Sequence, residues 1–216
     1  MTADADPGPR ATKADERRRL LMATARRLFI AQGFHQTGIA QIAEESGVRV
    51  GQIYRDFSSK GDLIVAITLA DLESWLDQDL IEAAIQSGDR QAAKAWLEAF
   101  AGRQTSHDEG RLLLEVFAES GRNPRVTEAV QQSEAQLRSL IEGALATMTG
   151  QNRPTPSRTK AVEILLALSL GYMVRRVLTP DGSWREISRH ALDLVEQEEA
   201  RALNLDARSK VCPSET

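Results

Sequence analysis

A single cysteine, Cys212, stands in 216 residues, so no disulfide can close within the chain, and a reducing compartment suits it. No stretch has the alternating Val/Ile/Thr character of a half-buried strand, which argues against a sheet protein. No long hydrophobic run exists either. The longest nearly uncharged stretch, Ile164 to Val174, falls well short of the ~20 residues that a membrane-crossing helix needs. The first apolar cluster, Leu20-Leu21-Met22, is soon interrupted by charge, unlike a secretory leader. A cytoplasmic protein with no membrane partner is expected. Histidine is scarce: only His35, His107 and His190 occur. His190 lies four residues after Glu186, yet two ligands on one helix do not make a site, and no further His or Cys falls at zinc spacing. No G-x-S-x-G, P-loop or G-x-G-x-x-G is present. The sequence therefore predicts no metal, no cofactor, no catalytic residues and no enzyme.

What is abundant points to helix. Hydrophobic residues make up 42% of the chain and aromatics only 5%, while Leu, Ala, Glu and Arg are frequent. The expected fold is all-α. The net charge of −4 is unevenly divided. Residues 1–60 hold ten Lys/Arg against seven Asp/Glu, a net of +3, and residues 61–216 hold seventeen against twenty-four, a net of −7. A basic head on an acidic body is the asymmetry of a DNA reader with a separate regulatory part.

The head centres on TGIAQIAEESGVRVGQIYRDFSSK, Thr37 to Lys60. Ile39, Ile42 and Ala43 follow helical spacing, with Thr37 placed as N-cap. Gly47 then ends that helix, and a second begins at Val48 or Arg49 and buries Ile53 and Phe57. Two helices joined by a glycine turn form a helix-turn-helix, whose second helix enters the major groove. Arg49 and Arg55 suit guanine O6 and N7, Gln52 suits adenine N6 and N7, and Val50 offers an apolar contact for a thymine methyl. Gly51 costs about 1 kcal/mol relative to Ala inside a helix, so a close approach of backbone to DNA is its simplest reason. Thr37, Tyr54 and Lys60 suit phosphates, which set register without reading sequence. A preceding helix from about Asp15 to Gln32, with Leu20, Leu21, Ala25, Leu28 and Phe29 as its apolar stripe, completes a three-helix domain over 13–60.

The stretch GFHQTGIAQIAEESGVRVGQIYRDFSSKGDLI resembles the DNA-binding domain of the TetR/AcrR family of bacterial transcriptional regulators. The shared elements are G-F-x-x-T, I-A-x-x-x-G-V, G-x-I-Y-x-x-F and S-K-x-x-L. LLLEVFAESGRNPRV resembles, less specifically, a segment of one regulatory-domain branch. Two departures stand out. Gly38 replaces a frequent Thr or Ser, removing a phosphate contact, and Asp56 sets an acid where a neutral residue or His is common. The resemblance also implies that the first helix touches the DNA backbone, which would make Arg17 to Arg19 phosphate partners.

Beyond the head, Ser59 and Asp62 form a capping box that opens one long helix, running through LIVAITLADLESWLDQDLIEAAI and linking head to body. Further helices are expected over about Arg90 to Arg103, after the Ser106–Glu109 capping box, from Asn123-Pro124 onward, from Pro156 to about Leu178, and after Ser183, for about nine in all. The last bears Trp184, Ile187, Ala191, Leu194 and Val195. Residues 61–205 thus read as a helical regulatory and dimerisation domain, with 1–12 and 206–216 as disordered ends. Excess apolar surface over roughly 156–200 suggests burial in a second copy, and the resemblance implies a homodimer there.

The resemblance further implies an effector pocket in the body. Trp75, Trp96, Phe100 and Phe117 are its large apolar candidates, with Arg103, Glu115 and Tyr172 as polar anchors. The overall expectation is a homodimeric repressor on a palindromic operator in double-stranded DNA, released by an unidentified small-molecule effector. The residues alone leave open a helical homodimeric interaction protein or a ligand-binding scaffold without specific DNA binding.

Overall fold

The computed structural model describes residues 12–103, 106–179, 186–187, 189–198 and 201, and over 72–75 the backbone alone. Every regular element among the described residues is helical: α1 Lys13–Gln32, α2 Ile39–Ser46, α3 Val50–Asp56, α4 Lys60–Leu76, α5 Gln78–Ser87, α6 Arg90–Ala101, α7 His107–Ser120, α8 Pro124–Thr149 and α9 Pro156–Leu178. A further helix, α10, covers 189–198. The chain packs as two compact units, Met1–Ala70 with Leu112–Ala129, and Asp71–Arg111 with Val130–Thr216.

In the first unit, α1 opens on a capping box. Thr12 Oγ1 accepts the Asp15 N–H at 3.2 Å while the Asp15 carboxylate accepts the Thr12 N–H at 3.0 Å, so the helix starts two residues earlier than the apolar stripe suggested. Leu21, Ala25, Leu28 and Phe29 enter the core, whereas Leu20 faces outward. Gly33, at φ 88°, ends the helix and donates its N–H to the Phe29 carbonyl at 2.9 Å. Phe34 then packs against Phe29, and Ile42, Ile53, Phe57, Leu63, Ile64 and Ile67 fill the rest of this core. Gly47 takes the left-handed conformation at the end of α2, as the turn requires. From Leu112–Ala129, the apolar side chains of Leu112, Val116 and Val126 are buried. Asn123 caps α8 by accepting the Arg125 N–H at 3.2 Å, with Pro124 in the first helical position.

The second unit is built around Leu76, Ile81, Trp96, Leu97, Ile141, Leu145, Val162 and Leu165. The single long helix expected through LIVAITLADLESWLDQDLIEAAI is instead two, broken at Asp77, whose φ of 45° and ψ of 52° are left-handed. No Gly or Pro marks the break, but Asp tolerates this conformation better than most residues. A helix end leaves carbonyls without intrahelical partners, and Trp96 Nε1 donates to that of Leu76 at 2.6 Å. Ser106 and Glu109 form the expected reciprocal cap, and α9 runs over the expected residues from its N-cap, Thr155. On α10 the apolar residues divide: Leu192 and Val195 join the core, while Ile187 before it and Leu194 on it face outward. The expected cap at Ser183, Trp184 and both expected disordered ends lie outside the described residues.

Candidate nucleic-acid interface

The short helix α3 is anchored on one side only. Ile53 is fully buried and Phe57, just past its end, nearly so. The opposite side presents Val50, 40% exposed, and Tyr54, 52% exposed, with Arg49 and Arg55 also in solvent. Arg49 is the N-cap residue but caps through its backbone alone, so its guanidinium is not engaged in ending the helix. Arg55 Nη2 donates to Gln52 Oε1 at 2.6 Å, which joins two of the expected base-reading groups. A Cβ added to Gly51 would meet nothing within 4 Å, so nothing in the protein itself demands glycine there. Together these residues make a polar and cationic surface on a helix whose other face is locked into a core.

Two residues expected at phosphates make contacts within the protein. Thr37 is fully buried, and its hydroxyl donates to the Gly33 carbonyl at 2.9 Å instead of projecting toward a ligand. It does not cap α2 either; Gly38 holds the N-cap position without a side-chain bond. Lys60 turns inward as well. Its Nζ donates to the carbonyls of Phe34 at 2.7 Å and Thr37 at 3.0 Å, and lies 4.3 Å from the centre of the Phe34 ring. Burial lowers its pKa, with the charge of Glu119 acting in the opposite sense. Lys60 thus pins the loop between α1 and α2.

Asp56, the acid that stands where a neutral residue or His is common, is bound within the protein. Arg17 grips its carboxylate twice, Nε to Oδ2 at 2.5 Å and Nη2 to Oδ1 at 2.8 Å, and Arg18 donates to its backbone carbonyl while lying over the Phe57 ring at 4.3 Å. The hydrogen bond from Arg17 holds the Asp56 carboxyl below its ordinary range. Arg17 and Arg18, expected at phosphates, therefore fasten α1 to the end of α3. Arg27 and Glu45 pair α1 with α2 in the same way.

Sequence reasoning missed a second set of supports, from α7 and α8. The Glu115 carboxylate, read as an effector anchor, accepts the Phe34 N–H at 2.8 Å. Asn123 Nδ2 donates to Glu119 Oε1 at 3.1 Å, Arg122 Nη2 meets His35 Nε2 at 2.8 Å, and Arg125 binds the Asp62 carboxylate at 3.0 and 3.1 Å. Apart from Asn123 and Glu119, which are neighbours along the chain, these partners stand 63 to 87 positions apart, so no local pattern announces them.

Of the expected effector residues, Phe100, Arg103 and Tyr172 meet at one cleft in the second unit, with Ala101, Ser169, Met173 and Arg176. Trp96 stacks on Phe100 at 5.6 Å and backs the cleft without lining it. Phe117 belongs to the first unit, and the side chain of Trp75 lies outside the described residues. Among the described residues no three His, Cys, Asp or Glu side chains gather as a metal site, and no helix is long and apolar enough to cross a membrane.

Residues 21–67 match the sequence model of the bacterial regulatory proteins of the tetR family. Residues 88–199, more than half of the chain, match that of the C-terminal region of BetI-type transcriptional repressors. The chain belongs to the TetR family. As a TetR-family protein it is a DNA-binding transcriptional regulator, not an enzyme. It is 25% identical over 185 residues to the transcriptional regulator UidR of Escherichia coli K12, covering 82% of this chain and 89% of UidR. The fold is also that of Salmonella enterica GusR, at a TM-score of 0.63 and 24% identity over 89% of this chain and 98% of GusR. Bacillus subtilis FadR in complex with stearoyl-CoA shares it at a TM-score of 0.66 and 17% identity, over 82% of this chain and 96% of FadR. In this TetR-family protein, α2, Gly47 and α3 form the helix-turn-helix.

Proposed function

We propose that this TetR-family regulator is a homodimeric repressor that binds a palindromic operator and is released by a small-molecule effector. The observation that carries the reading is the outer face of α3, where Arg49, Val50, Gln52, Tyr54 and Arg55 stand clear of a core that holds Ile53 and Phe57. In a dimer, two such helices enter successive major grooves about 34–36 Å apart. Support for the dimer comes from α9, where Ile164, 49% exposed, and Leu178, 76% exposed, lie on one stripe with Gly171. These residues are spaced by seven, and Gly171 lets a second helix come close. Ile187 and Leu194 add further outward apolar surface. The repressor assignment follows the BetI-type repressor model that residues 88–199 match.

Effector release is supported by the cleft that holds Phe100, Arg103 and Tyr172, and by the stearoyl-CoA complex of the fold neighbour FadR. A ligand that binds one state of the regulator better than the other shifts the population, and with it DNA affinity.

The deciding experiment is selection of bound sequences from a random duplex pool at ~150 mM salt, where non-specific phosphate binding is weak. The expected product is an inverted repeat with half-sites about one helical turn apart. Enrichment of a single half-site would remove the dimeric reading, and no enrichment from folded protein would remove operator binding itself. A reporter downstream of the recovered site is expected to rise when the regulator is deleted.

A further inference from the structure

Among the described residues, the charged side chains that line the cleft at the end of α6 are both arginines. Phe100 and Ala101 close α6 and Arg103 follows, while Ser169, Tyr172, Met173 and Arg176 come from one face of α9. Their offsets of three, four and seven residues place them in one row along that helix. Among the described lining residues are two guanidinium groups and no carboxylate. Glu109 accepts from Arg103 Nη2 at 3.2 Å, and the charge of Asp71 also acts on Arg103, but neither acid lines the cleft. Desolvation is the largest influence on Arg103 and lowers its pKa, and an anion beside it acts in the opposite sense.

The rest of the lining suits an organic body rather than a bare ion. Phe100 is held flat by Trp96 behind it. Met173 is unbranched and re-packs readily around an apolar guest. The Tyr172 and Ser169 hydroxyls supply donors and acceptors beside the two arginines. Arginine is also the side chain best matched to planar, bidentate recognition of an oxyanion.

We propose that this cleft binds an organic oxyanion, its carboxylate or phosphate held by Arg103 and Arg176 and its apolar body set against Phe100 and Met173. The assignment rests on the effector reading above and gives that effector a chemical class.

Calorimetric titration of the full-length protein with four ligands sharing one phenylbutyl body tests it: 4-phenylbutyrate, phenylbutyl phosphate, 4-phenylbutanol and 4-phenylbutylamine. At least one anion is expected to bind about tenfold or more tighter than the alcohol, the worth of one charge-assisted contact, and the amine is expected to bind weakest. The two anions together tell which head group is preferred. Arg176→Gln, and independently Arg103→Gln, are expected to erase most of that advantage while leaving the alcohol's affinity unchanged. Equal binding of anion and alcohol would overturn the charge assignment and leave a ligand site in place. An advantage retained in both variants would overturn the role given to these arginines. Heat from none of the four at millimolar concentration would overturn the cleft as a site for an organic oxyanion, while the effector reading would stand or fall on whether other ligands release operator DNA.

Discussion

Arg55 and Gln52 reach each other at 2.6 Å in the protein alone, so whatever they bind must either accept them as a pair or part them. An adenine or guanine edge does the first, since each offers two groups at the right separation. Gln52→Ala and Arg55→Ala are expected to cost about 1–3 kcal/mol each at particular base pairs and to relax preference there. Their combined loss should be smaller than the sum, because they share one interaction. Binding curves against single-base operator variants measure both effects. Lys60 behaves in the opposite way. Lys60→Met removes a charged donor from two carbonyls, and about 1–3 kcal/mol of stability should go with it. The slope of log affinity against log salt should stay unchanged, because Lys60 neutralises no phosphate. Denaturant titration and salt-dependent binding separate those outcomes. Asp56 adds a pH dependence. Its folded pKa lies below the ordinary 3.8 because Arg17 bonds the charged form. On acidification the unfolded chain therefore takes up this proton first. The contribution is fully present above the unfolded value and disappears as pH falls through the folded one. The stability gap between the wild type and Asp56→Asn should thus be widest near neutrality and narrow below about pH 4 in paired denaturation curves.

α3 is the element on which these side chains depend, and Gly51 is its weak point. A methyl group there meets nothing, so Gly51→Ala should stabilise the helix by up to about 1 kcal/mol in thermal unfolding. If the helix backbone lies against DNA, the same change should weaken operator binding, and the opposite signs would identify the duplex as the reason for glycine. Elements set by local chemistry were legible in the chain. The Gly47 turn, the Ser106–Glu109 box, the Asn123-Pro124 start and the full length of α9 all follow from neighbouring residues. The end of α4 was not legible, because Asp77 carries no breaker signal and the buried carbonyl of Leu76 is satisfied by Trp96, twenty positions away. The outward face of α3 could likewise be read from Ile53 and Phe57, its two buried residues. The inward turns of Thr37 and Lys60 could not, since their partners are main-chain carbonyls that folding brings to them.

At the scale of the whole molecule, the proposed function depends on assembly. Ile164→Glu places a charge at one end of the outward stripe of α9, where burial against a second copy would leave it without solvent. The variant is expected to sediment as a monomer, keep its helical circular dichroism, and lose affinity for an inverted repeat far more than for a single half-site. Light scattering and binding to the two duplexes provide the check. The stack of Trp96 on Phe100 has an optical consequence. An indole lying parallel to a ring that lines the cleft, with its N–H on a carbonyl, has an emission governed by those two neighbours. Anything that settles on Phe100 would change the colour or yield of that light. With Trp75 and Trp184 replaced by phenylalanine, the protein would carry its own lamp for screening ligands without a label.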